Sequence, residues 1–225
     1  MTHRVHPKAL RIRGIDSWHS RGFYEKNMAE YLEMDLKIRS FLMKKLKTAD
    51  IEKIEIERFP AKVNVIIFSA RPGLIIGRRG QNVSLLRKEI EKITSKKEEN
   101  LKIEIRPVKN PWLSASLTAQ NIAQQIEKRI AFRRALKQAL SKIMSNKDVQ
   151  GARVQVSGRL NGREMARTEW LKEGKLPRQT IRGKMDYSLA EAFCSYGVVG
   201  VKVWIYTGEE DDDDNGDKDK ESTTV

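Results

Sequence analysis

Cysteine is almost absent. Cys194 is the only one in 225 residues, so no internal disulfide can form. A reducing compartment, the cytoplasm, is expected. Histidine is nearly as scarce: His3, His6 and His19 all fall in the first 19 residues. With one distant cysteine they make no convergent metal-ligand set, and the rest of the chain has no histidine for a nucleophile–base pair. No cofactor is expected and no enzymatic role. A magnesium-dependent nuclease or lyase is the enzymatic rival, and it finds neither metal cluster nor histidine–carboxylate pair. No apolar run approaches the ~20 residues of a membrane-spanning helix. The arginine-rich, acid-poor start lacks the apolar stretch of an export leader. An organellar presequence is its alternative, but Pro7 and Gly14 interrupt any amphipathic helix there. No G-x-G-x-x-G occurs, and no Lys-Ser/Thr follows a glycine-rich loop, so a nucleotide-binding loop is not supported.

What is abundant is positive charge. The net charge is +14, and residues 209–225 alone carry nine acids against two lysines, a net of −7. Subtracting that tail leaves +21 on residues 1–208. A body that basic repels itself unless it meets a polyanion, and nucleic acid fits better than a membrane. The tail has no apolar content to bury and is expected to be disordered.

Along the chain, residues 1–23 read as a basic arm whose Trp18 and Phe23 predict that part of it docks. Tyr31, Met34, Ile38, Phe41, Leu42 and Leu46 recur at three- and four-residue spacing, predicting a helix over 24–48. Alternation at Ile54 and Ile56, then at Val63, Val65 and Ile67, predicts two strands. A short apolar turn, Leu74-Ile75-Ile76, leads into Gly77-Arg78-Arg79-Gly80. Val83, Leu86, Ile90 and Ile93 stripe the helix that follows, and Leu101, Ile103 and Ile105 mark a third strand. Pro107 and Pro111 close this domain, taken as 24–110.

Residues 112–145 read as helix, in one piece or two. Phe132, Leu136, Ala139, Leu140 and Ile143 fall on one side, and Arg133, Arg134 and Lys137 on the other. From Lys128 to Lys147 there are seven basic residues and no acid. The remainder, to residue 208, reads as an antiparallel sheet. Its strands lie at Val154–Val156, Met165–Leu171, around Ile181–Tyr187 and at Val199–Ile205, with a turn at Asn161-Gly162. Arg159, Arg163, Arg167, Lys172, Lys175, Arg178, Arg182 and Lys184 concentrate there, a solvated face or an RNA-gripping one. Trp170 and Trp204 are expected in the core or in protein contacts.

The glycines of Gly77-Arg78-Arg79-Gly80 permit positive φ and close backbone approach. The helix beginning after Gly80 presents unpaired amides and a partial positive charge to a phosphate. In KH domains such a loop clamps the backbone of about four nucleotides. A tight turn with solvated arginines is the plainer reading of four residues; the flanking helices and strands favour the clamp.

Longer segments carry a closer resemblance. Gly73–Gly80, Phe132–Lys137, Val156–Leu160 through Ala166–Trp170, and Tyr196–Ile205 resemble the family of the third protein of the bacterial-type small ribosomal subunit. The resemblance implies an α+β chain. A type II KH domain, with helices on one face of a small mixed sheet, precedes an α+β domain with an antiparallel sheet. It implies ribosome-bound partners: small-subunit ribosomal RNA, messenger RNA, the tenth and fourteenth small-subunit proteins in the head, and the fourth and fifth at the messenger-RNA entrance. Arg133, Arg134 and Lys137 match the segment that grips incoming message. His6-Pro7 stands where the family often has Asn-Pro, and the aspartate-rich tail is not a general family feature. A free KH regulator binding assorted RNAs is the alternative.

Overall fold

A computed structural model describes residues 5–11, 18–22, 28–59, 62–94 and 100–209. The acidic tail from residue 210, Phe23 and Pro60 lie outside them. The chain divides into two compact units, one spanning residues 14–111 and one joining residues 1–13 to 112–225.

In the first unit the elements are β1 (Ser20–Gly22), α1 (Met28–Lys45), β2 (Ile51–Phe59), β3 (Lys62–Ser69), α2 (Pro72–Ile76), α3 (Gln81–Thr94) and β4 (Asn100–Pro107). The sheet order is β1-β2-β3-β4, antiparallel only between β2 and β3. Alternation buries Ile54 and Ile56 of β2 with Val63, Val65 and Ile67 of β3 against Ile38 and Leu42 of α1, Ile75 of α2, and Leu86 and Ile90 of α3. Each large aliphatic side chain so buried contributes roughly 1.5–3 kcal/mol.

β1 was not legible as a strand; it falls in the expected arm. Arg39 of α1 holds it there, donating to Ser20 Oγ at 2.8 Å and to the Ile54 carbonyl at 2.5 Å. Trp18, just before β1, is 81% exposed, so docking of this segment rests on β1 and not on that ring.

The helix-covered face of β2 also carries Arg58. Its Nε donates to Asp35 Oδ1 of α1 at 2.8 Å, with Nη2 at 2.7 Å from the same oxygen, and both side chains are 5% exposed. The guanidinium lies 5.1 Å from the Tyr31 ring. Asp35→Ala leaves a buried guanidinium without its carboxylate and is expected to destabilise the unit by about 3–5 kcal/mol. Replacing both partners, Asp35→Leu with Arg58→Met, is expected to cost less. Urea denaturation checks both, and a larger loss in the double variant would contradict this account.

The second unit contains α4 (Ala115–Glu127), α5 (Phe132–Met144), β5 (Gly151–Gly158), β6 (Arg167–Gly174), β7 (Gly183–Cys194) and β8 (Gly197–Glu209). The expected helical span is therefore two helices. The sheet is wholly antiparallel, in the order β6-β5-β8-β7. Ala152, Val154 and Val156 of β5 and Val199, Val201, Val203 and Ile205 of β8 face the two helices. β7 runs to Cys194, seven residues beyond the expected strand, because each residue from Ser188 to Cys194 pairs with β8. Asp186 of β7 accepts the Ala115 amide at 2.6 Å and an ion pair from Lys8 at 2.5 Å. A carboxylate suits that helix N-terminus, and the contact ties residues 5–11 to this unit.

Candidate nucleic-acid interface

The G-x-x-G loop is built from both sides. Ser69 Oγ donates to the Ala49 carbonyl at 2.6 Å and accepts the Arg71 amide at 3.0 Å, while Arg71 pairs with Asp50 at 3.1 Å. These bonds fix the entrance to α2. Asn82 of α3 then donates back to the Leu74 carbonyl at 3.2 Å. Between the helices Gly77 sits at φ 70, ψ −179, Arg79 at φ 52 and Gly80 at φ 73. The Gly77 conformation is one that essentially only glycine adopts. Arg78 and Arg79 are exposed, and the first turn of α3 contains no acid. The loop is thus a rigid, cationic ridge beside a helix N-terminus, suited to phosphates.

A Cβ on Gly77 would lie 2.6 Å from the Asn82 side chain, whereas one on Gly80 would meet nothing within 4 Å. Gly77→Ala is therefore expected to cost about 1–3 kcal/mol, more than Gly80→Ala, and to loosen the loop. Comparative urea titration checks the order.

In the second unit α5 divides as its period requires. Phe132, Ala135, Leu136, Ala139, Leu140 and Ile143 are buried, while Arg133, Arg134 and Lys137 are exposed. The three cations are not equivalent. Arg133 forks onto Glu169 of β6, with Nε to Oε2 at 3.0 Å and Nη2 to Oε1 at 3.3 Å. Arg167 pairs with the same carboxylate at 3.0 Å. Hydrogen bonding to Arg133 holds the Glu169 carboxyl below its ordinary value of 4.5, with further attraction from Arg133, Arg167 and Arg163. Its pKa being depressed, the pair persists at neutral pH and is lost only as pH falls through the lowered value. The same bond raises the Arg133 pKa. Arg134 and Lys137 make no ion pair among the described residues and are free to meet an anion.

Arg163, in the turn between β5 and β6, joins Arg133 and Arg167 around Glu169. Arg159, itself exposed, donates to the Arg163 carbonyl at 3.1 Å and the Tyr196 carbonyl at 3.2 Å, so it braces two turns. Arg178 lies in the β6–β7 connection, at the other end of the sheet. It is exposed, and its carbonyl accepts Arg11 at 2.8 Å. Of the expected cations in this unit, Arg133, Arg163 and Arg167 gather around Glu169, Arg134 and Lys137 share the exposed face of α5 with Arg133, Arg159 braces the turns, and Arg178 lies apart.

Sequence reasoning missed Glu169 as the partner of Arg133. It also missed Arg153 on the sheet's other face, 4.4 Å from Trp170 and 5.5 Å from Trp204. Trp170 is 52% exposed, while Trp204 is partly buried beside Leu176, Met185 and Tyr206. The signal available was cross-strand register, since Arg153 faces Trp204 directly. Among the described residues no cluster could hold a metal ion, and no helix is long and apolar enough to cross a membrane.

Two sequence families match. One is described as a KH domain, over residues 37–113; the other as ribosomal protein S3, C-terminal domain, over residues 122–205. Curated relatives match along nearly the whole length. The small ribosomal subunit protein uS3 of Endomicrobium trichonymphae is 47% identical over 209 residues, covering 93% of this chain and 89% of the relative. Those of Caldicellulosiruptor saccharolyticus and Desulfitobacterium hafniense are each 48% identical, covering 93% of this chain and 93% and 94% of theirs. With a KH domain ahead of an antiparallel α+β domain, and identity of this extent, the chain belongs to the ribosomal protein S3 family, non-enzymatic RNA-binding proteins of the small ribosomal subunit.

Proposed function

We propose that this chain is a fixed component of the head of the small ribosomal subunit in the cytoplasm, binding its ribosomal RNA and lining the entrance for messenger RNA. The observation that carries the reading is the exposed cation face of α5. Arg134 and Lys137 stand three residues apart on one helix face, beside Arg133 and the Arg163 turn, with no acid between Lys128 and Lys147. Side chains so placed hold phosphates and read no bases. The burial of the opposite face against the sheet keeps them in place while RNA moves past. Any opening of a hairpin would be passive, driven by translocation past a fixed charged rim.

The KH ridge supplies a second phosphate-binding element, with Arg78 and Arg79 as its cations. The remaining basic side chains of the sheet, Arg159, Arg163, Arg167 and Arg178 among them, fit ribosomal RNA. Neighbours in the head would be the tenth and fourteenth small-subunit proteins, with the fourth and fifth sharing the entrance.

Replacing Arg133, Arg134 and Lys137 together by alanine is expected to slow translation of messages with hairpins while small-subunit assembly stays intact. Hairpin and unstructured messages translated at unchanged relative rates would remove the grip from this helix. Glu169→Gln is expected to act oppositely. Freeing Arg133 should tighten single-strand binding several-fold at low salt and steepen the salt dependence by about one phosphate contact. A salt titration of the full-length protein measures both.

A further inference from the structure

Beside the α5 cations lies a cleft of about 520 Å³, within the roughly 300–1,000 Å³ of small-ligand sites. Its floor is apolar, made by the buried Ile126, Phe132, Leu160 and Val199, with the exposed Ile130 at its edge. Its rim is polar: Arg129 from the α4–α5 turn, Asn161 from the β5–β6 turn, and Ser195 and Tyr196 from the β7–β8 turn. The Tyr196 ring rests over Gly162, where a Cβ would lie 3.7 Å from it. Arg159 clamps the Tyr196 carbonyl, joining two of the three turns.

The α4–α5 turn is built in an uneconomical way. Arg129 donates its amide to Ile126 at 2.9 Å and Ile130 donates to Gln125 at 3.0 Å, the pattern of a helix ended by a left-handed residue. Glycine takes that position without strain, yet Arg129 occupies it at φ 61. Asn161 on the facing turn is also left-handed, at φ 56. The strained arginine keeps a guanidinium at the mouth of an apolar cleft.

We propose that this cleft receives one unstacked nucleobase of the RNA whose backbone crosses the α5 cations, a site that rests on the RNA-binding reading above. A base supplies a flat apolar face for the floor and Tyr196, and edge groups for Asn161 and Ser195. Unstacked bases in single-stranded RNA are recognised in this way, on aromatic rings and guanidinium planes. Charge favours RNA over an apolar protein side chain: Arg129 stands on the rim, and Lys128, Arg133 and Arg163 lie within two residues in sequence of lining residues, against the exposed acid Glu164 and two acids that are engaged. Glu127 accepts the Phe193 amide at 3.0 Å and Glu169 holds Arg133.

Ala131, exposed at the start of α5 and lining the cleft, allows it to be filled from outside. The full-length protein is titrated with oligouridylate and with an abasic strand of equal length. Ala131→Trp is expected to lower affinity for oligouridylate about tenfold and leave the abasic strand unaffected. No change, or equal loss on both strands, would overturn the base site and leave RNA binding standing. Absence of salt-dependent binding by the wild type would remove both. Arg129→Gly relaxes the left-handed position, so a reduced oligouridylate preference with undiminished Tm separates binding from folding. In assembled small subunits, a benzophenone side chain at position 131 is expected to cross-link to RNA; a cross-link to protein would give the cleft to a protein partner.

Discussion

The burial of one face of α5 against the antiparallel sheet is the constraint on which the candidate interface depends. Six side chains of a 13-residue helix are sequestered. With 3.6 residues per turn, Arg133, Arg134 and Lys137 then have nowhere to stand but outside. Truncating Leu136 or Ile143 would disturb the interface from beneath, because Arg134 and Lys137 have no other anchor than the helix they ride on. The same packing brings the start of α5 beside the β5–β6 turn, where Arg163 and Arg167 join them.

A cation cluster of this density must manage its own repulsion. Glu169 does so by accepting a forked bond from Arg133 and an ion pair from Arg167. Surface pairs of this kind add little stability. Their effect here is one of geometry: they set Arg133 in a fixed direction and lower the local charge, while Arg134 and Lys137 keep theirs. The KH loop follows another course. Its two arginines follow Gly77, whose conformation essentially only glycine adopts, and Arg79 is itself left-handed, so rigidity there comes from the chain and not from a counter-charge.

Helix and strand positions with strong periodicity were legible. The stripe from Tyr31 to Leu46, the alternation at Val63–Ile67 and at Val199–Ile205, and the two faces of α5 all reappear. What escaped was set by pairing partners distant in sequence. Ser20–Gly22 has no alternation of its own and becomes a strand because β2 and Arg39 offer bonds to it. Ser188–Cys194 sets one strand former, Phe193, among two alanines and a glutamate that disfavour strand, and β8 holds it extended. Residues 5–11 look like free arm but lie against β7 through Lys8 and Asp186.

The sequence by itself determined the charge, the G-x-x-G loop between its helices, the split faces of α5 and the resemblance that led to the ribosomal protein S3 family. Each is a local or compositional property, readable at a separation of a few residues. Only the tertiary structure decided which cations are free. Arg133 and Glu169 lie 36 residues apart, Arg159 and Tyr196 lie 37 apart, and Arg58 meets Asp35 only when α1 packs on β2. Whether a charged side chain binds an outside partner depends on what the fold places beside it, and that is a matter of distance in space.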